Sequence, residues 1–169
     1  MTDLLNVHIR REDDGCITLH QQPYIEKLMQ RYLPDGPPNH VQSNTTPSTP
    51  ELAQLVADAS LSTINENPDD AETQLRERYS SLVGSLIYAA TQTRPDVTYA
   101  VGMLSRVLAK PTPDLMRAAE RVLTYLWRHR SVGLRYSPRP SDPVAYSDAN
   151  WAVKHSTSGW LVVWQSAAV

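Results

Sequence analysis

A chain of 169 residues has room for one ordinary domain or two very small ones. Its 16 Lys and Arg against 18 Asp and Glu leave a formal charge of −2, so the whole-chain balance carries no nucleic-acid signal, and 41% hydrophobic residues with 13 Pro and no Phe describe a modest globular core. One cysteine, Cys16, excludes an internal disulfide framework and a cysteine-based zinc site, no apolar run approaches the roughly 18 residues of a membrane span, and the start lacks the apolar core of a secretory signal, so the expected location is intracellular, cytoplasm or nucleus.

Residues 4–10 alternate Leu5, Val7 and Ile9 on one face, a strand pattern. Asp13-Asp14-Gly15 is turn chemistry, and Cys16 to Leu19 follows as a second strand, giving an N-terminal β-hairpin. Pro23 suits a first helical turn, and Ile25, Leu28, Met29 and Tyr32 keep helical spacing after it. Residues 34–50 are rich in Pro, Ser, Thr and Asn and read as a linker. Residues 51–74 are acidic with scattered Leu, and read as a largely disordered insert with one helical turn near Leu52–Val56.

Three helices follow. The first spans 75–91, with Leu75, Tyr79, Leu82, Val83, Leu86 and Ala90 as its apolar stripe. The second opens at Pro95-Asp96 and runs to about Leu108, with Asp96 placed to meet the helix dipole. Thr112 as N-cap and Pro113 in the first turn start the third, Asp114 to about His129, which has the cleanest apolar pattern. Gly133 stops the helices. LRYS, PVAYSDA and WLVVWQ then read as three strands, with Ser156–Gly159 as a turn, and look like the opening of an incomplete sheet.

The charge is unevenly spread. Residues 1–75 hold 4 basic and 12 acidic side chains, residues 76–139 hold 11 and 4, and residues 140–169 hold 1 and 2. A basic middle block is the footprint of a phosphate-binding surface, or the solvated face of ordinary helices. Within it Arg117, Arg121 and Arg128 share one helix face, suited to phosphate oxygens. Ser80, Gly84 and Tyr88 fall at steps of four on the first helix. A mid-helix glycine costs about 1 kcal/mol against alanine. That cost implies a close approach at Gly84, by a packing helix or by a nucleic-acid groove. Asp148 ends a strand, where a lone carboxylate is a turn former or a metal ligand, and divalent-metal phosphoryl chemistry needs several such groups. Asp142 is a weak second candidate, and His129 and His155 have no ligand spacing.

Ordered strings then accumulate. Tyr79-Ser80-Ser81-Leu82-Val83-Gly84-Ser85-Leu86-Ile87-Tyr88, Thr93-Arg94-Pro95-Asp96-Val97-Thr98-Tyr99-Ala100-Val101, Leu104-Ser105-Arg106, Tyr146-Ser147-Asp148-Ala149-Asn150-Trp151-Ala152 and Ser156-Thr157-Ser158-Gly159-Trp160 resemble successive motifs of copia-type LTR retrotransposon Pol polyproteins. The first 33 residues resemble the hairpin that follows the polymerase palm in that family.

The resemblance implies an α+β chain covering the end of a reverse transcriptase and the start of its ribonuclease H domain. Residues 1–33 would be the primer-gripping hairpin and a short helix, 34–74 a linker and acidic insert, 75–131 thumb and connection helices, and 132–169 truncated ribonuclease H-like strands. Ser80, Gly84, Tyr88, Arg94, Arg106, Arg117, Arg121 and Arg128 would face an RNA–DNA or DNA duplex. Asp148 would be the first metal-binding carboxylate of ribonuclease H. Mg²⁺ belongs to the parent enzyme, with none expected to bind stably here. The implied partners are the template–primer, the palm and fingers and the rest of ribonuclease H, with no membrane. The polymerase's catalytic carboxylates and the later ribonuclease H acids have no counterpart in these residues, so the chain alone is expected to be inactive. A decayed remnant, or a helical protein-interaction module, is the alternative. Asn6 stands where the family usually has Gly, and the loop at 152–155 is shorter than the family's. An acidic 51–74 that folds over the basic helices would compete with nucleic acid, so deleting 34–74 would tighten binding.

Overall fold

The computed structural model describes residues 2–39, 41, 46–150 and 157–169. Among these residues the chain is a mixed α/β protein with five α-helices and two small antiparallel sheets, in two compact units. One unit is continuous, residues 21–132. The other joins residues 1–20 to 133–169.

The continuous unit is helical. Helix α1 (Gln22–Tyr32) buries Ile25, Leu28, Met29 and Tyr32, the spacing expected of it. Helix α2 (Leu52–Leu61) makes nearly three turns where composition predicts one. Leu52, Val56 and Ala59 lie on one side of α2 and enter the common core, and Val41 is buried as well. The acidic insert is therefore partly a core element. Its three apolar groups at helical spacing supply burial that its charge density conceals.

Helix α3 (Asp70–Gln92) starts five residues before the apolar stripe does. Asp69 caps it by accepting from the Glu72 N–H at 2.7 Å, and Asp70 and Glu72 in the first turn favour the positive end of the dipole. The second expected helix is a 3₁₀ turn at Pro95–Val97 followed by α4 (Thr98–Ser105). Helix α5 (Pro113–Arg128) begins as expected, with Thr112 Oγ1 accepting from the Leu115 N–H at 3.2 Å. Tyr79, fully buried on α3, donates its hydroxyl to the Leu104 carbonyl of α4 at 2.9 Å, and burial pushes its phenol well above the ordinary range. Apolar faces of all five helices meet in one core. No described helix is long and apolar enough to cross a membrane.

The discontinuous unit holds the sheets. The first has the order β1 (Thr2–Leu4), β2 (Val7–Arg11), β3 (Ile17–His20), β4 (Leu134–Tyr136). The expected first strand is split, because Leu5 and Asn6 adopt φ of 53° and 63°. Two successive positive φ values make the tight hairpin turn that matches strand twist. Asn tolerates that region where Leu does not, and the Asn6 N–H reaches Asp3 Oδ1 at 3.2 Å. Leu5 is thus an exposed turn residue, not part of a strand face. The LRYS strand, β4, pairs with β3 and not with the later strands. Gly133 sits against β3 so closely that a Cβ there would lie 2.1 Å from the Leu19 oxygen.

The second sheet runs β5 (Val144–Asn150), β6 (Thr157–Trp164), β7 (Ala167–Ala168). Strand β6 begins at Thr157, so Gly159 lies inside it opposite Asp148 and not in a turn. Ser156 and the shortened stretch 152–155 lie outside the described residues. Trp160, Val162 and Trp164 alternate with Leu161 and Val163, so β6 carries apolar side chains on both faces. Trp160 is 77% exposed and Trp164 45%.

Candidate nucleic-acid interface

On α3 the core side is taken by Tyr79, Leu82, Val83, Leu86, Ala89 and Ala90. A second flank is held by α1. Tyr24 donates to the Ser85 carbonyl at 3.2 Å, Tyr32 and Ser81 share a hydroxyl contact at 2.7 Å, and Arg78 donates to the Tyr32 carbonyl at 2.7 Å. What remains is a strip through Ser80, Gly84 and Ile87. Among the described residues nothing lies within 4 Å of where a Gly84 Cβ would stand. No described helix packs against this glycine to explain it. Tyr88 closes one side of the strip, its ring edge-on to Tyr24 at 5.2 Å. Ser80, Gly84 and Tyr88 are therefore brought together, as their spacing predicts.

The arginines divide. Arg94 is buried, 1% exposed. Its Nε and Nη2 grip the two Asp96 oxygens at 2.9 and 2.7 Å, and Nη1 donates to the His129 carbonyl at 3.0 Å. Tyr125 adds its hydroxyl to Asp96 Oδ2 at 3.0 Å. This guanidinium ties the end of α3 to the end of α5 and presents nothing to a duplex, so the expectation of a phosphate contact at Arg94 is corrected. Asp96 serves this clamp and also stands in the first turn of the 3₁₀ helix, as expected. Burial alone would raise its carboxyl, but hydrogen bonds and charge from Arg94, with the Tyr125 hydroxyl, hold it below the ordinary 3.8.

The α5 face is partly occupied. Arg128 donates to the Val41 carbonyl at 3.0 Å, and Arg121 lies 3.5 Å from Thr46 Oγ1. Glu51 is held below its ordinary value by the Thr49 hydroxyl and a backbone hydrogen bond, with the Arg121 charge adding to them. Arg117 is exposed and paired with Asp114. Arg106 is exposed at the end of α4. Val41, Thr46 and Glu51 thus lie against part of the basic face. Deleting 34–74 would also remove Val41, Leu52, Val56 and Ala59 from the core. Arg76, on the edge of the α3 strip, was not singled out by sequence, although the steps of four through Ser80, Gly84 and Tyr88 extend back to it.

Asp148 belongs to the other unit. It is exposed on β5, and its Oδ1 accepts from the Ala149 N–H at 2.9 Å. Among the described residues no three His, Cys, Asp or Glu side chains converge to hold a metal ion. One carboxylate does not make a two-ion clamp.

The fold and the strip define a helical body with an open small-residue face, followed by a sheet that bares both sides. No protein-family model matches the chain, and no solved structure matches it at a significant level. Curated proteins do. The chain is 30% identical over 169 aligned residues to the retrovirus-related Pol polyprotein from transposon TNT 1-94 of Nicotiana tabacum, covering 95% of this chain and 12% of that one. It is 31% identical over 176 aligned residues to a transposon Ty5-1 protein of Saccharomyces cerevisiae, covering 98% of this chain and 50% of that one. A shorter match, 41% over 88 residues, covers 49% of this chain and 62% of the secreted RxLR effector protein 161 of Plasmopara viticola. The chain thus spans half or less of the length of the two transposon proteins it matches almost end to end. It belongs to the copia-type, retrovirus-related Pol polyproteins of transposable elements.

Proposed function

We propose that this chain is the portion of a copia-type Pol polyprotein that carries the thumb and connection of reverse transcriptase and the opening strands of ribonuclease H, and that its own contribution is to hold the template–primer duplex rather than to catalyse. Residues 1–33 would be the primer-side hairpin and its helix, 75–131 the thumb and connection, and 132–169 the start of ribonuclease H. The observation that carries this reading is the open strip at Gly84. A helix with no side chain at an exposed, uncovered point lets sugar and base edges approach the backbone, while cations meet phosphate. Arg106 at the end of α4 and Arg117 on α5 are exposed cations that this reading assigns to phosphate. The polymerase and nuclease chemistry would come from the rest of the polyprotein, with Mg²⁺ held by carboxylates of which Asp148 is one.

The test is a titration of the chain with a fluorescent RNA–DNA hybrid at roughly 50 and 200 mM salt, where phosphate contacts weaken steeply. Gly84→Gln fills the strip with a residue that favours helix more than glycine does, by close to 1 kcal/mol. It should leave the unfolding midpoint equal or higher and weaken hybrid binding at least about tenfold, a loss of ~1.4 kcal/mol. Absence of salt-dependent binding by the folded chain, or full binding by Gly84→Gln, would overturn the reading. The second reading, a helical protein-interaction module without enzymatic activity, is favoured by the engagement of Arg121 and Arg128 with residues 46 and 41.

A further inference from the structure

A cavity of about 140 Å³ lies beside α3, between the end of α2 and the start of α5. Two cations line it, Arg76 and Lys110. Lys110 donates from Nζ to the Ser60 carbonyl at 3.1 Å and to the Ser62 carbonyl, which leaves it one further N–H. Arg76 is the less satisfied of the two: its Nε is buried and makes no hydrogen bond, and among the described residues its guanidinium forms no ion pair. The one carboxylate in the wall, Glu72, stands four residues before Arg76, the spacing at which the two would ordinarily pair. Instead Glu72 Oε2 accepts from Asn65 Nδ2 at 2.6 Å. The wall keeps a formal charge of +1, and an uncommitted guanidinium faces a space that Thr63 and Thr112 also line.

We propose that this cavity binds a phosphate group, with Arg76 as its recognition residue. A guanidinium fork matches paired oxyanion oxygens, and the spare Lys110 N–H adds a point charge. The space, about 140 Å³ and open to solvent on one side, is enough for a tetrahedral anion. A phosphate entering here is inorganic, or one phosphate of a longer chain whose remainder stays outside. Arg76 stands one helical step before Ser80, so the second case places a backbone phosphate beside the open strip. The site stands on its own charges and does not require that the strip bind a duplex.

The first arm is a titration with inorganic phosphate at constant ionic strength, chloride making up the balance, read by ³¹P line broadening and by the thermal midpoint. Wild type should saturate, and Arg76→Gln should raise the half-saturating phosphate concentration at least about tenfold, a loss of ~1.4 kcal/mol. The circular dichroism of the folded variant should be unchanged, since Arg76 makes no fold-holding bond. A second variant, Arg76→Lys, keeps the charge without the fork and should fall between the two. The other arm is the salt slope of hybrid binding. A slope lower by about 1 in Arg76→Gln assigns the site to a backbone phosphate, and an unchanged slope with lost phosphate binding assigns it to free phosphate. Equal phosphate response in wild type and Arg76→Gln, or none beyond chloride, overturns the proposal. Gly84→Gln should leave the phosphate response intact, so a failed duplex interface and a failed phosphate site give different results.

Discussion

Arg94 offers the sharpest test, because sequence and structure assign it opposite places. As a duplex contact it would be dispensable for folding. As a buried clamp it is not. Replacing it with Met removes three hydrogen bonds and leaves two acceptors, the His129 carbonyl and the Asp96 carboxylate. Asp96 keeps the Tyr125 hydroxyl and is 36% exposed, so water can take part of the load. That puts the cost of Arg94→Met near 2–3 kcal/mol, below the usual 3–5 for breaking a buried pair. Asp96→Ala is the harsher change. It strands a guanidinium that is 1% exposed, with the His129 carbonyl and the Tyr125 ring as its remaining partners, and its cost should reach the full ~3–5 kcal/mol. For a chain of this size about 3 kcal/mol lowers the thermal midpoint by roughly 6–12 °C. Urea and thermal unfolding of both variants give the order directly. An Arg94→Met protein within about 0.5 kcal/mol of wild type, with weakened hybrid binding, would refute the clamp and restore the sequence reading. The same pair has a pH signature. Because the Asp96 carboxyl is held below its ordinary 3.8, its contribution is present above that value and disappears as pH falls through the lowered one. The wild type should lose stability there, and the Arg94→Met protein should lose less.

Two other sites give independent outcomes. Gly133→Ala should destabilise by about 1–3 kcal/mol or more, because its Cβ would meet the Leu19 oxygen at 2.1 Å and the His20 Cβ at 2.9 Å; a neutral result in urea unfolding would show that β3 and β4 are not so close. His20 is buried beside a stacked His8, ring centroids 5.5 Å apart; burial first, then the charges of His8 and Arg10, lowers its imidazole below 6.5. Its contribution is therefore present above pH 6.5 and is lost as pH falls through the lowered value, so urea midpoints at about pH 7.5 and 5.5 should differ more in wild type than in His20→Gln.

The helices were legible where apolar spacing and caps agree. Thr112-Pro113 announces α5, and the α5 stripe then buries as written. Helix α2 was hidden because acidic and polar neighbours dilute three well-spaced apolar residues, and only the partner core shows that three suffice. The pairing of β4 with β3 joins residues more than a hundred positions apart, which local alternation cannot register. At the site, Ser80, Gly84 and Tyr88 were legible because helical periodicity places them on one face. Arg94 was misread because a basic residue in a basic block looks solvated, although an acid two residues on, across a proline, is within reach of a fork. Arg76 was passed over because a cation is identified as unpaired only once its neighbours are seen to bond elsewhere.

The bare sheet affects how this protein can be watched. Trp160 and Trp164 already meet water in the native state, so their emission has little distance to travel on unfolding. Trp127, half-buried on α5 with the Arg130 guanidinium 5.2 Å from its ring, lies with the helical core. Total indole fluorescence would therefore understate a cooperative transition in the helices. Replacing Trp151, Trp160 and Trp164 by Tyr would leave Trp127 as the one indole of the chain, reporting on the helical unit, and keep the strand pattern of β6 aromatic.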